Sequence, residues 1–150
     1  MRSNFRFKAM NVVHHFLLMV SGGHLGWTAE GMPVLELTTT RRRSGQPHLV
    51  MLTSPLQEGE TLVLVASGGG DVRPPAWFLN LRDNPDVGVR LQGSPKHQMR
   101  GRVATAAERE RLWPLVIADH SNYAYYQSRT TREIALALLE PADPSVNAAG

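Results

Sequence analysis

The chain has 150 residues, 42% hydrophobic and 19% charged, the proportions of one globular domain and not of a disordered or fibrous chain. It contains no cysteine, which excludes disulfides, thiolate nucleophiles and cysteine-ligated metals. The formal net charge of +3 is small for a nucleic-acid binder and better suits a local patch for an anionic small molecule.

In the first segment Phe5, Ala9, Val12, Val13, Phe16, Leu17 and Val20 recur at three- and four-residue steps, which predicts an amphipathic helix. It reads either as a helix packed over the rest of the fold or as a basic helix resting on an anionic membrane surface. Its longest apolar run, Phe16 to Val20, is far short of the roughly 20 residues that cross a bilayer, and no small-residue cleavage site follows. A cytoplasmic location, with peripheral membrane contact as an addition, is the expectation. Glycines at 22, 23, 26 and 31 then make a loop around Trp27.

From Pro33 the pattern changes to strands. Val34 to Thr40 is rich in β-formers, Arg43-Ser44-Gly45-Gln46-Pro47 is a turn, and His48 to Leu56 reads as the returning strand. Thr61 to Ala66, after the Glu58-Gly59-Glu60 turn, is the clearest buried strand, and Ser67-Gly68-Gly69-Gly70-Asp71 follows as a loop. Pro74-Pro75 opens a short helix that ends near Asn84, ahead of Pro85. Val87–Leu91 and Met99–Ala104 form a pair joined across Gly93-Ser94-Pro95. Thr105-Ala106-Ala107-Glu108 is a capping box starting a helix that carries Leu112, Leu115 and Val116. Glu133 to Leu139 reads as the last strand. Residues 1–25 thus form an N-terminal helix and loop, 26–141 one domain, and 142–150 a flexible tail. Short strands joined by hairpins, with helices at the edges, predict an α+β protein built on an antiparallel barrel.

Three stretches could carry chemistry. Arg41-Arg42-Arg43-Ser44-Gly45 gathers guanidiniums, a hydroxyl and turn N–H groups, as phosphates and carboxylates require; the alternative is a solvated basic turn. Ala66-Ser67-Gly68-Gly69-Gly70 lets backbone approach a flat ligand, although the G-x-G-x-x-G spacing is absent and a mobile loop is the alternative. Tyr123-Ala124-Tyr125-Tyr126-Gln127 offers phenols that stack and donate, or else a partly buried aromatic seam. The consecutive Asp119-His120-Ser121 cannot adopt a hydrolase triad, and the histidines show no metal-ligand spacing, so no metal is expected.

In this order, and together with Pro75-Ala76-Trp77, Asn80-Leu81, Asn84-Pro85, Arg129-Thr130, Arg132-Glu133-Ile134 and Leu139-Glu140-Pro141, these stretches resemble the deazaflavin-dependent nitroreductase family common in actinobacteria. The resemblance implies a split β-barrel of the FMN-binding, flavin-reductase type that takes the deazaflavin coenzyme F420 in preference to FMN. It implies that Arg42, Arg43, Ser44 and His48 hold the coenzyme's phosphate and acidic tail. Ala66, Ser67, Gly68, Gly69 and Gly70 would lie along its ring, Trp77 and Asn80 would brace that loop, and Tyr123 and Tyr126 would face the substrate. The implied reaction passes hydride from the reduced coenzyme to a quinone, enone or nitroaromatic, with no nucleic-acid partner. Gly68 stands where members usually carry lysine, Arg41 where they carry glycine, and His48 where they carry arginine. Ser54 sits near a usual aromatic position and is expected to open the pocket. A non-catalytic coenzyme carrier and an FMN-dependent oxidoreductase are the alternatives. Exposed barrel edges leave room for a homodimer.

Overall fold

The computed structural model describes residues 28–29, 32–91 and 94–142. The helix expected over residues 1–20, the glycine loop around Trp27, Gly93 and the tail from 143 lie outside the described residues.

Among the described residues, eight strands form one curled antiparallel sheet: β1 (Thr28–Ala29), β2 (Met32–Thr40), β3 (Pro47–Thr53), β4 (Leu56–Glu58), β5 (Thr61–Val65), β6 (Asp86–Arg90), β7 (His97–Val103) and β8 (Leu136–Pro141). The α-helices among the described residues are α1 (Ala76–Asp83), α2 (Ala106–Asp119) and α3 (Asn122–Ser128). The spatial order is β1-β2-β6-β7-β8-β5-β4, with β3 also paired to β2. This is the expected split barrel with flanking helices.

Side chains alternate along the strands as the pleat demands. Leu62, Leu64 and Ala66 of the β5 segment join Leu35, Leu37, Ala137 and Leu139 inside the curl, where Trp77, Phe78 and Leu81 of α1 plug it. Val63, Leu136 and Leu138 point outward and are covered by Leu112, Val116 and Tyr123 of α2 and α3. Both faces of β5 and β8 are therefore dry, which is why these strands read as continuous apolar runs. The capping box at Thr105 and Glu108 is formed as expected. Leu115, expected on the apolar side of that helix, is exposed; Trp113 and Ile117 pack against the outer cluster instead.

The returning strand expected over residues 48–56 is two strands. Pro55 has no N–H to continue the ladder. Ser54 turns inward, its single hydroxyl hydrogen shared between the carbonyls of Val63 (2.9 Å) and Leu56 (3.0 Å), while its oxygen accepts from Gln57 Nε2 (3.1 Å). Ser54 is fully buried, so it secures a bend and does not open a pocket. The last strand begins at Leu136, later than expected. Ala66 N–H still donates to the Ala135 carbonyl in the β5–β8 register, but one residue earlier the Ile134 N–H turns away to Gln127 Oε1 (2.8 Å).

Two glycines make a paired prediction. A Cβ on Gly101 would lie 2.5 Å from both Cγ and Cδ1 of the fully buried Leu81. Gly101→Ala is expected to push α1 off the sheet and cost about 2–3 kcal/mol. The nearest atoms to a Cβ on Gly88 would belong to the flexible Lys96 side chain, at 2.7 Å from Cδ, so Gly88→Ala is expected to cost under about 1 kcal/mol. Urea titration of both variants checks the contrast; equal losses would refute it.

Across β7, α2 and β8, Arg102 donates to Glu108 at 2.7 and 2.8 Å and to Glu140 at 2.9 Å. The guanidinium, aided by the Thr105 N–H, brings the Glu108 carboxyl from 4.5 to about 2. Because folding lowers this pKa, the stabilisation is complete above about pH 4.5 and disappears as pH falls through about 2. The pair is partly solvated, so Arg102→Met is expected to cost about 1–2 kcal/mol at neutral pH. It should also flatten the acid limb of a Tm-against-pH curve; an unchanged limb would show that the network does not drive it.

Candidate active site

The strand registers collect the suspected site residues at one end of the barrel. The β2–β3 turn with Arg41–Ser44, the exit of β5 at Ala66, the start of β6 and the start of β8 all lie there. Arg41, Arg42 and Arg43 are exposed, and among the described residues none of them is paired with a carboxylate. The turn is closed by Gly45 N–H donating to the Arg41 carbonyl (3.1 Å), with Ser44 Oγ accepting from Gln46 N–H (3.2 Å). Its cations are thus presented on a hydrogen-bonded hairpin tip, without a competing carboxylate among the described residues.

His48 is the second residue of β3, opposite Thr39. Its Nδ1 is buried and has no hydrogen-bond partner among the described residues. Thr39 Oγ1 in turn accepts from Asn80 Nδ2 (3.1 Å), and both residues are buried. Asn80 therefore ties α1 to β2. Trp77 packs in the inner cluster with Ala66, edge-on to Phe78 at 6.1 Å.

After Ala66, Gly68, Gly69 and Gly70 form a single tight turn with φ of 52°, 68° and 85°. All three are in the left-handed region that side chains other than glycine disfavour. A Cβ on Gly69 would meet nothing within 4 Å, so this surface is open backbone. Gly70 differs: a Cβ there would lie 2.7 Å from the carbonyl oxygen of Tyr126. The shelf thus abuts the C-terminal turn of α3 directly.

The tyrosines separate in role. Tyr123 is buried in the outer cluster, its hydroxyl 3.4 Å from Thr53 Oγ1 and 3.7 Å from Met32 Sδ. Tyr126 is half-buried beside the shelf, with its ring edge-on to Tyr123 at 6.1 Å. Tyr125, part of the phenol stretch but given no site role from the sequence, is the exposed phenol of the helix. Thr39, Gln127 and Arg132 were likewise assigned no role; each acts through contacts between distant segments that no local pattern announces.

A family model described as F420H2-dependent quinone reductase matches residues 11–141. The chain belongs to the F420H2-dependent quinone reductase family. An F420H2-dependent quinone reductase of Mycobacterium tuberculosis is 34% identical over 131 residues, spanning 85% of this chain and 87% of that protein. Two solved structures share a TM-score of 0.62. One is an F420H2-dependent reductase, 34% identical over 72% of this chain and 94% of its own; the other, described as a domain-swapped dimer, is 32% identical over 77% and 89%. A pyridoxamine 5'-phosphate oxidase-like chain from Listeria innocua, 18% identical with a TM-score of 0.53 over 87% and 93% of the two chains, shares the fold. Membership in the F420H2-dependent quinone reductase family makes the chain an F420H2-dependent reductase with coenzyme F420 as its cofactor. The expectation drawn from the sequence motifs holds in its coenzyme and fold, while the family is named for quinone reduction.

The residues present fit that coenzyme on two structural grounds. The glycine turn offers a surface without side chains to a flat ring, and the hairpin tip offers unpaired cations to a phosphate and acidic tail, with the orphaned His48 Nδ1 behind it.

Proposed function

We propose that this protein reduces quinones with hydride taken from reduced coenzyme F420 held at the end of the barrel where the arginine hairpin and the glycine turn meet. The observation that carries this reading is their shared end: an unpaired cation cluster and an open backbone shelf, set there by the strand registers. When bound, the coenzyme supplies the hydride. Arg42, Arg43 and Ser44 hold its phosphate and acidic tail, and His48 Nδ1 adds a polar atom at the root of the hairpin. Ala66, Ser67, Gly68 and Gly69 carry the ring, while Gly70 fixes the shelf against α3. Trp77 and Asn80 keep α1 seated beneath both. Tyr126 lies nearest the shelf and is the phenol we assign to the acceptor, donating to an oxygen on which negative charge develops. Tyr123 supports it edge-on from the core. Enones and nitroaromatics, which develop charge on the same kind of oxygen, are further acceptors of this site.

The test is a fluorescence titration of the full chain with oxidised coenzyme F420, with FMN in parallel, followed by turnover of the reduced coenzyme with a soluble quinone. Saturable binding of F420 over FMN with quinone-dependent oxidation is expected. Binding without turnover would leave a coenzyme carrier, and preference for FMN would overturn the assignment of the shelf.

A further inference from the structure

One guanidinium holds both ends of the glycine shelf. Arg132, in the connection between α3 and β8, donates from Nη1 to the Ala66 carbonyl (3.2 Å), from Nη2 to the Ser67 carbonyl (2.9 Å) and from Nε to the Asp71 carbonyl (2.9 Å). Its own carbonyl accepts from Gln127 Nε2 (2.8 Å), on the helix of Tyr126. Gln127 Oε1 in turn accepts from Ile134 N–H (2.8 Å) and Arg109 Nη2 (3.1 Å). The chain of contacts runs from shelf to guanidinium to α3.

The consequence for the shelf follows from peptide geometry. No peptide bond in the described structure is cis, so each C=O points opposite to the N–H of the same peptide. With the Ala66 and Ser67 carbonyls turned to Arg132, the N–H groups of Ser67 and Gly68 point away from it. Neither donates a hydrogen bond within the described structure, whereas Gly70 N–H is spent on the Ser67 carbonyl (2.8 Å). Two successive donors thus stand beside the open backbone of Gly69. The cation on their far side polarises both peptides and strengthens the pair toward an electron-rich oxygen.

We propose that Arg132 is a positioning residue that presets the Ser67 and Gly68 N–H groups as a donor pair for an oxygen of the coenzyme ring and locks that ring at a set separation from Tyr126. This rests on the placement of coenzyme F420 proposed above. Arg132 touches neither coenzyme nor acceptor; it acts through the three carbonyls. A lysine at this position reaches one carbonyl at a time and keeps the charge without the three-way fork.

The experiment compares wild type, Arg132→Lys and Arg132→Ala in three readouts: Kd for oxidised coenzyme F420, the emission shift of the bound coenzyme, and kcat against KM for a soluble quinone at saturating coenzyme. Arg132→Ala is expected to raise Kd about tenfold, shrink the emission shift and lower kcat about 10- to 100-fold with little change in quinone KM. Arg132→Lys is expected to fall between the two and carries the test alone if Arg132→Ala does not fold. A lower Tm with unchanged Kd, emission and kcat would reduce Arg132 to a structural clamp and overturn the proposal. Wild type that fails to bind the coenzyme would overturn the placement as well, so the two failures are distinguishable.

Discussion

Replacing Arg42 and Arg43 together by alanine is expected to weaken binding of coenzyme F420 by about two to four orders of magnitude while leaving stability almost unchanged. Both halves of this expectation come from the same observation. The guanidiniums are exposed on the hairpin tip and pair with no carboxylate among the described residues, so folding does not depend on them. Removing exposed groups without partners shifts stability by no more than about 0.5 kcal/mol. A charge-assisted hydrogen bond to a phosphate or carboxylate contributes about 1.5–3 kcal/mol, and two of them amount to the stated loss in affinity. Fluorescence titration of the single and double variants, with thermal melts alongside, checks both halves. The remaining Arg41 and Ser44 should leave measurable residual binding that weakens further as salt screens it. A double variant that binds the coenzyme like wild type would mean that this hairpin is the solvated basic turn first weighed against the anion site.

Gly70→Ala is expected to produce the largest stability loss of any single glycine substitution in the shelf, about 3 kcal/mol, with Tm lower by about 10 °C. The backbone there has φ of 85°, and the new methyl would sit 2.7 Å from the Tyr126 carbonyl oxygen, 3.0 Å from Arg129 Cβ and 3.3 Å from Tyr126 Cα. The strain of a left-handed alanine and the collision with helix backbone add, since neither can relax by rotating a side chain. Gly69→Ala is the informative neighbour. Its φ of 68° imposes a similar strain, but its Cβ would meet nothing within 4 Å. Its stability loss is expected to be about 1 kcal/mol, while coenzyme affinity should fall because the methyl stands on the open surface assigned to the ring. Melting curves and coenzyme titrations of the two variants should therefore rank in opposite order for stability and, per folded molecule, for blocking of the ring surface. The same ranking in both would mean that the ring does not lie on Gly69.

How much of this was legible beforehand can be followed residue by residue. The outward and inward alternation of β5 and β8 is written in Thr61–Ala66 and Ala135–Leu139 as apolar runs, and the capping box of α2 in Thr105 and Glu108. The helix after Pro74-Pro75 and its stop before Pro85 follow from backbone chemistry that is local to those residues. The arginine hairpin and the glycine turn were recognisable for the same reason: adjacent residues carry the whole signal. What failed was any inference that required knowing a side chain's neighbours. Ser54 looked like a small residue at the edge of a pocket, yet it is a buried hydroxyl spanning two carbonyls of other strands. Leu115 carries the same letter pattern as Leu112, but α2 turns it to solvent.

Length, composition and local pattern by themselves determined an α+β domain of short antiparallel strands, a cation-rich hairpin and a side-chain-free turn, because hydrophobic period, turn chemistry and capping act over a few residues. The ordered motifs added the coenzyme. Only the tertiary structure decided that Tyr123 is a core residue while Tyr126 borders the shelf, that Asn80 reaches Thr39 across 41 positions, and that Arg132 grips Ala66 and Ser67 from 66 and 65 positions away. The physical reason is that a hydrogen bond between distant segments costs loop-closure entropy that only the completed fold repays, so no local pattern encodes its partner.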